Sequence, residues 1–285
     1  MTKPRILILG AGERVKQDLL PVLFSLGYQG PELLLLRKSD KQISEFPQYK
    51  CIKFDGTTLL DFNPNVVISC LPTGDTLGVI HEVLSFTSPN NLFVDTPISK
   101  ISSELILLRI PGGVHILEDN HLVFFSNQFI LPKNEPKVIF VLKALYDYHG
   151  VALLSKVFGK TSKRYLKFKI RNFLLLVFKS GSKLVIWVGP RNYSLGNIYF
   201  LKMKGGGCTF QKYNFSTKSA PEWTRRFLLE NLDSLFAEQI LSSSPIRNML
   251  FWKRMALGEY MGRFLMDGEN RFLTLEEAIE NERYF

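Results

Sequence analysis

Cysteine is scarce. Cys51, Cys70 and Cys208 are the only three, and no two stand at CxxC spacing. That excludes a disulfide framework and leaves no zinc-type ligand pattern; a reducing cytoplasm is the expected compartment. Long apolar runs are missing too. The densest, at 33–36 and 173–178, fall far short of the roughly 18 residues that span a bilayer, so no membrane partner is expected. The four apolar residues between Arg5 and Gly10 are too few for the apolar region of a signal peptide and read as a strand. Acidic residues are outnumbered, 26 Asp and Glu against 36 Lys and Arg, for a net charge of +10. The cations are spread along the chain. Their densest cluster, 160–171, alternates with apolar residues, which in a strand puts the charges on one solvated face. No helix-turn-helix or RNP-like signature accompanies it, so nucleic acid is not an expected partner.

Periodicity organises what is present. Short apolar runs at 5–9, 32–36, 66–71 and 91–95 predict strands. Between them, Val15, Leu19, Val22, Leu23 and Leu26 fall at helical spacing over 14–26, with Gly27 as the stop, and 76–86 is a second helix. Near-continuous apolar strands alternating with helices predict a parallel α/β sheet covered on both faces. The character changes near residue 120. Helices are expected over 136–147 and 150–158. Two alternating runs then flank Ser-Gly-Ser at 180–182, a hairpin signal, and 197–215 reads as a second hairpin turning at Gly205–Gly207. These predict a mostly antiparallel sheet. Helical periodicity returns over 221–241 and 245–266. Thr274 followed by Glu277 is a capping box for a last helix.

Gly10-Ala11-Gly12 follows the first strand and precedes the first helix. In that context the first glycine permits a tight turn, and the second lets the backbone approach a pyrophosphate at the helix start. The third glycine of the full fingerprint is Val15 here, and a strand-to-helix turn without a ligand is the competing reading. An acidic residue is absent from the end of the second strand, where it would accept from both ribose hydroxyls of NAD. Arg37-Lys38-Ser39 stands there instead. Two cations and a hydroxyl suit a phosphate monoester, so NADP is expected over NAD; an exposed basic loop is the alternative.

Three further stretches carry a family resemblance. VVISCLPTGDTLGVIHEVL at 66–84 followed by NLFVDTPIS at 91–99, then YHGVALLSKVFG at 148–159, then LTLEEAIENERYF at the carboxyl terminus resemble the Gfo/Idh/MocA oxidoreductases. The resemblance implies a Rossmann domain over 1–119, with the helix at 274–285 packed back on it. An α+β domain over 120–273 would follow, its mostly antiparallel open sheet serving substrate binding and homo-oligomer contact. It implies cofactor contacts at Leu71, Pro72, Thr73, Asp95, Thr96 and Pro97, besides the glycine turn and the basic trio. Asp95-Thr96-Pro97 stands where the family has Glu-Lys-Pro. Thr96 thus replaces a lysine that lies near nicotinamide and substrate, and a hydroxyl is a weaker partner than an ammonium. The family's aspartate falls at Leu145. Its histidine falls at His149, a candidate general acid or base because its pKa lies near neutrality; a histidine that only packs or caps a helix is the other reading. Asn120 matches an asparagine near cofactor or substrate. His121 beside it and Tyr148 are further substrate-contact candidates. Glu118, Asp119 and His121 do not make a metal site, because two distant ligands would still be needed.

The expected activity is hydride transfer, with NADP, to or from a carbonyl, alcohol or imine carbon of a small metabolite, as in a biosynthetic pathway. The alternative is a catalytically degenerate relative acting as a binding or regulatory protein.

Overall fold

Three apolar runs, each too short for a helix and buried along its whole length, and a fourth buried at its centre set the core of the first unit. The computed structural model describes residues 3–98, 100–117, 138–142, 165–170, 173–180, 183–190, 198–204, 207–213, 254, 257–258 and 260–282. The chain divides into two compact units, Met1–Asn120 with Glu222–Arg283, and His121–Pro221 with Tyr284–Phe285.

The first unit holds strands β1 (Ile6–Leu9), β2 (Leu33–Leu36), β3 (Lys50–Ile52), β4 (Val66–Ser69), β5 (Asn91–Asp95) and β6 (Val114–Leu117). They lie in the order β6-β5-β4-β1-β2-β3, all parallel, and the strand Leu273–Thr274 adds an antiparallel edge on β6 to complete seven. Every residue of β1, β2 and β4 is buried, as expected of a parallel sheet covered on both faces. The helices are α1 (Leu20–Ser25), α2 (Gly56–Phe62), α3 (Thr73–Leu84), α4 (Ser102–Leu105) and α5 (Leu275–Glu282). Asp55 caps α2 by accepting from the amides of Thr57 and Thr58. This α/β layout is Rossmann-like.

A π-wound segment, Val15–Leu19, leads into α1. Its cause is visible in the sequence. Pro21 has no amide to donate to the carbonyl four residues back, at Gln17. The ladder slips by one residue just before it, and the Leu20 amide bonds Val15 instead. The Gln17 carbonyl accepts from Arg254 Nε, which ties the late segment to the first helix.

Residues 260–282 are held on the same unit by rings. Phe264 and Phe272 stand edge-on to Phe93 at 4.9 and 5.0 Å. His115 is 6 % exposed, with Nε2 3.1 Å from Asn91 Oδ1 and Nδ1 3.0 Å from Asn270 Nδ2. The carboxamides therefore fix one neutral tautomer, with the proton on Nε2. The capping box forms as the spacing predicts: the Thr274 amide donates to Glu277 Oε2, and the Glu277 amide to Thr274 Oγ1.

The second unit contains β7 (Val138–Leu142), β8 (Tyr165–Ile170), β9 (Phe173–Ser180), β10 (Lys183–Pro190), β11 (Ile198–Lys204) and β12 (Gly207–Tyr213). Four strands lie in the order β7-β10-β9-β8, with β7 parallel to β10 and the other pairs antiparallel; β11 and β12 form a separate antiparallel pair. The 136–147 expectation fails at its centre. Val138-Ile139-Phe140-Val141-Leu142 is a strand, in keeping with the β preference of branched and aromatic side chains. The helix expected over 150–158 lies outside the described residues.

Candidate functional site

Because the strands are parallel, their carboxyl ends open at one edge of the sheet. The chain winds outward from β1 through β2 to β3, and in the other direction from β4 through β5 to β6, so the crevice lies between β1 and β4. Gly10-Ala11-Gly12, Arg37-Lys38-Ser39 and Leu71-Pro72-Thr73 follow β1, β2 and β4, and Asp95 ends β5 with Thr96-Pro97 after it. The structure thus brings these twelve sequence-nominated residues to the same edge. His149, Asn120, His121 and Tyr148 lie outside the described residues.

The two glycines do different work. Gly10 has φ +101°, and a Cβ there would meet the Cys70 carbonyl oxygen and Leu71 Cδ2, both at 3.2 Å. Its amide donates to the Leu36 carbonyl at 2.8 Å. Gly10 therefore serves the fold. A Cβ at Gly12 would meet nothing within 4 Å. Its carbonyl accepts from the Lys16 amide at 3.1 Å, as the helix begins. Bare main chain faces open space at a helix start, as a dinucleotide pyrophosphate requires.

Beyond β2 lies a cleft of about 630 Å³. Leu36, Arg37, Lys38, Lys53 and Phe54 line its strand side, and Leu71, Gly74, Asp75, Gly78, Val79 and Glu82 its α3 side. Arg37 Nη1 donates to the Lys41 carbonyl. Lys38 Nζ lies 3.3 Å from Asp75 Oδ2, across the cleft. Lys53 and Phe54 were not nominated by the sequence, because β3, which presents them, is a three-residue edge strand that periodicity does not reveal.

The β5 end is held electrostatically. Arg14 Nη1 is 2.8 Å from Asp18 Oδ2 and its Nε 3.6 Å from Asp95 Oδ2. Asp18 is 5 % exposed, and its Oδ1 has no hydrogen-bond partner among the described residues. Burial lowers Arg254 to about 10, against the opposing charge of Asp18. Burial of the sulfur, then Asp95, pushes the Cys70 thiol well above its ordinary range, so it stays protonated. The Asp95 carboxylate also accepts from the Thr96 amide at 3.2 Å. Thr73 Oγ1 donates to the Pro97 carbonyl at 3.4 Å, linking α3 to the turn after β5, where the Thr96–Pro97 peptide is cis.

Among the described residues no group of three His, Cys, Asp or Glu could hold a metal ion, and no helix is long and apolar enough to cross a membrane.

No family model and no curated protein matches the sequence. Solved structures do match. An oxidoreductase from Thermotoga maritima superposes with a TM-score of 0.64 at 10 % identity, over 98 % of this chain and 94 % of that one. The myo-inositol dehydrogenase from Corynebacterium glutamicum gives 0.62 at 9 % identity, over 99 % and 94 %. The WlbA dehydrogenase from Thermus thermophilus, solved with NAD and UDP-GlcNAcA, gives 0.60 at 12 % identity, over 99 % and 93 %. The chain thus shares its fold with these oxidoreductases and dehydrogenases.

Proposed function

We propose that this protein is an NADP-dependent oxidoreductase that moves a hydride to or from a carbonyl, alcohol or imine carbon of a small metabolite. One observation carries the reading: unobstructed main chain at Gly12 shares a sheet edge with the paired cations Arg37 and Lys38, and no carboxylate follows β2 directly. The pyrophosphate takes the Gly10-Ala11-Gly12 turn. Arg37, Lys38 and Ser39 take the ribose phosphate that an acidic residue would repel. Leu71, Pro72 and Thr73 wall the crevice beside α3, and Asp95, Thr96 and Pro97 shape its β5 end. When bound, the cofactor supplies the hydride acceptor or donor. His149 moves the accompanying proton, while Asn120, His121 and Tyr148 orient the substrate. The second unit is the α+β domain for substrate and homo-oligomer contact, and the protein works in the cytoplasm. An imine substrate suits Thr96, because a protonated imine already carries the positive charge that a lysine would otherwise bring.

Thr96 and Leu145 favour one second reading, a catalytically degenerate protein that binds the nucleotide for regulation or assembly. Melting with NADPH, with NADH and with neither separates these from a ligand-free fold. The expected result is a larger rise with NADPH, and Arg37→Asp should remove that advantage while sparing NADH. Equal loss of both would refute the NADP assignment. NADPH oxidation with a panel of imines and carbonyls then separates enzyme from binder.

A further inference from the structure

We propose that Lys53 is a specificity-determining residue: with Arg37, it grips a phosphate on the ribose of an adenine nucleotide lying in the cleft beyond β2. The inference rests on the nucleotide reading above and adds a contact that the glycine-turn and basic-trio motifs do not contain. Its first support is register. β2 and β3 run parallel with Leu36 opposite Ile52, and the Arg37 amide donates to the Ile52 carbonyl at 3.0 Å, which continues the ladder one step. Arg37 and Lys53 therefore leave adjacent strands at the same level, and residues level with each other in a sheet project to the same side. Both line the cleft.

The second support is the shape of the opposite wall. Gly74 and Gly78 sit one turn apart on α3, and a Cβ at either would meet nothing within 4 Å. The wall is bare there, and Leu71 and Val79 extend it as an apolar surface. On the strand side Phe54 is held by an edge-on contact with Phe86, centroids 5.6 Å apart. Between Asp75 and Glu82 the wall thus offers a bare, apolar stretch facing the strand-side cations, which suits a purine whose sugar carries an anionic group.

The third support is charge bookkeeping among the cations. Lys38 is matched by Asp75, and Arg37 Nη1 is bonded to the Lys41 carbonyl. Among the described residues Lys53 has no ion-pair partner, and its side chain is exposed. It is the cation in the cleft that an incoming phosphate recruits without first breaking a contact.

The test is equilibrium titration of the full chain, wild type and Lys53→Met, with adenosine 2′,5′-bisphosphate and with 5′-AMP. Wild type should bind the bisphosphate more tightly. Lys53→Met should weaken the bisphosphate about tenfold, the loss of one charge-assisted contact, and leave 5′-AMP unchanged. Lys53→Arg should retain most of the preference. If wild type prefers the bisphosphate and Lys53→Met keeps the full preference, the Lys53 assignment is overturned while the nucleotide reading stands. If wild type binds 5′-AMP and the bisphosphate equally, the phosphate grip is overturned; if it binds neither, the nucleotide reading falls as well.

Discussion

Arg254 Nε donates to the main-chain carbonyl of Gln17, a group that Pro21, four residues further on, has no amide to reach. A distant side chain thus completes a helix that its own proline interrupts. Arg254→Met should cost about 1–3 kcal/mol, because the Gln17 carbonyl loses its donor. In a Pro21→Ala background the same substitution should cost less, since an alanine amide can serve Gln17. Denaturant unfolding of the double-mutant cycle measures the coupling; strict additivity would contradict this account of the π-wound segment.

Arg14 lies between two carboxylates, Asp18 and Asp95. Arg14→Met should destabilise the protein by about 3 kcal/mol, because Asp18 is left buried without its ion pair. Adding Asp18→Asn should recover part of the loss by removing the orphaned charge. Unfolding midpoints at constant m-value report both.

His115 gives the stability a pH dependence. Burial lowers its pKa below the ordinary 6.5, partly opposed by a hydrogen bond to the Gly112 main chain. The folded protein therefore holds the neutral ring while the unfolded chain takes up a proton, so this contribution is complete above pH 6.5 and is lost as pH falls below it. The slope approaches about 1.4 kcal/mol per pH unit for one proton. His115→Gln should show a shallower decline in unfolding free energy from about pH 7 to about pH 5. Parallel declines would contradict the assignment.

The pair Lys38–Asp75 spans the cleft, with side chains 91 % and 46 % exposed. So exposed a pair contributes little to folding, within about 0.5 kcal/mol. Asp75→Asn should leave the melting temperature in place and strengthen NADPH binding, because it frees Lys38 and removes a carboxylate from the path of a phosphate. Weaker binding, measured by titration, would show instead that Asp75 is a ligand contact.

Much of this was legible in the chain because burial on both faces writes strands as unbroken apolar runs. The runs at 5–9, 32–36, 66–71 and 91–95 became β1, β2, β4 and β5 almost in place. The glycine turn was legible because two glycines after such a run have few other uses. β3 was not, since Lys50-Cys51-Ile52 is too short to show a period, and with it Lys53 and Phe54 went unseen. Val138, Val141 and Leu142 satisfy helical spacing as well as a strand, so local pattern pointed the wrong way until pairing with β10 decided it. The contacts of Arg14 with Asp95 and of Arg254 with Gln17 join residues far apart in sequence, and no local signal announces them.

The central claim is most directly tested at Gly12, where an added Cβ meets nothing within 4 Å but would enter the space assigned to a pyrophosphate. Fluorescence titration of NADPH into wild type and Gly12→Val, alongside their melting curves without nucleotide, separates binding from folding. The account predicts that Gly12→Val melts like wild type and no longer binds NADPH. Retained NADPH binding by Gly12→Val, or no binding by wild type at saturating NADPH, would contradict it.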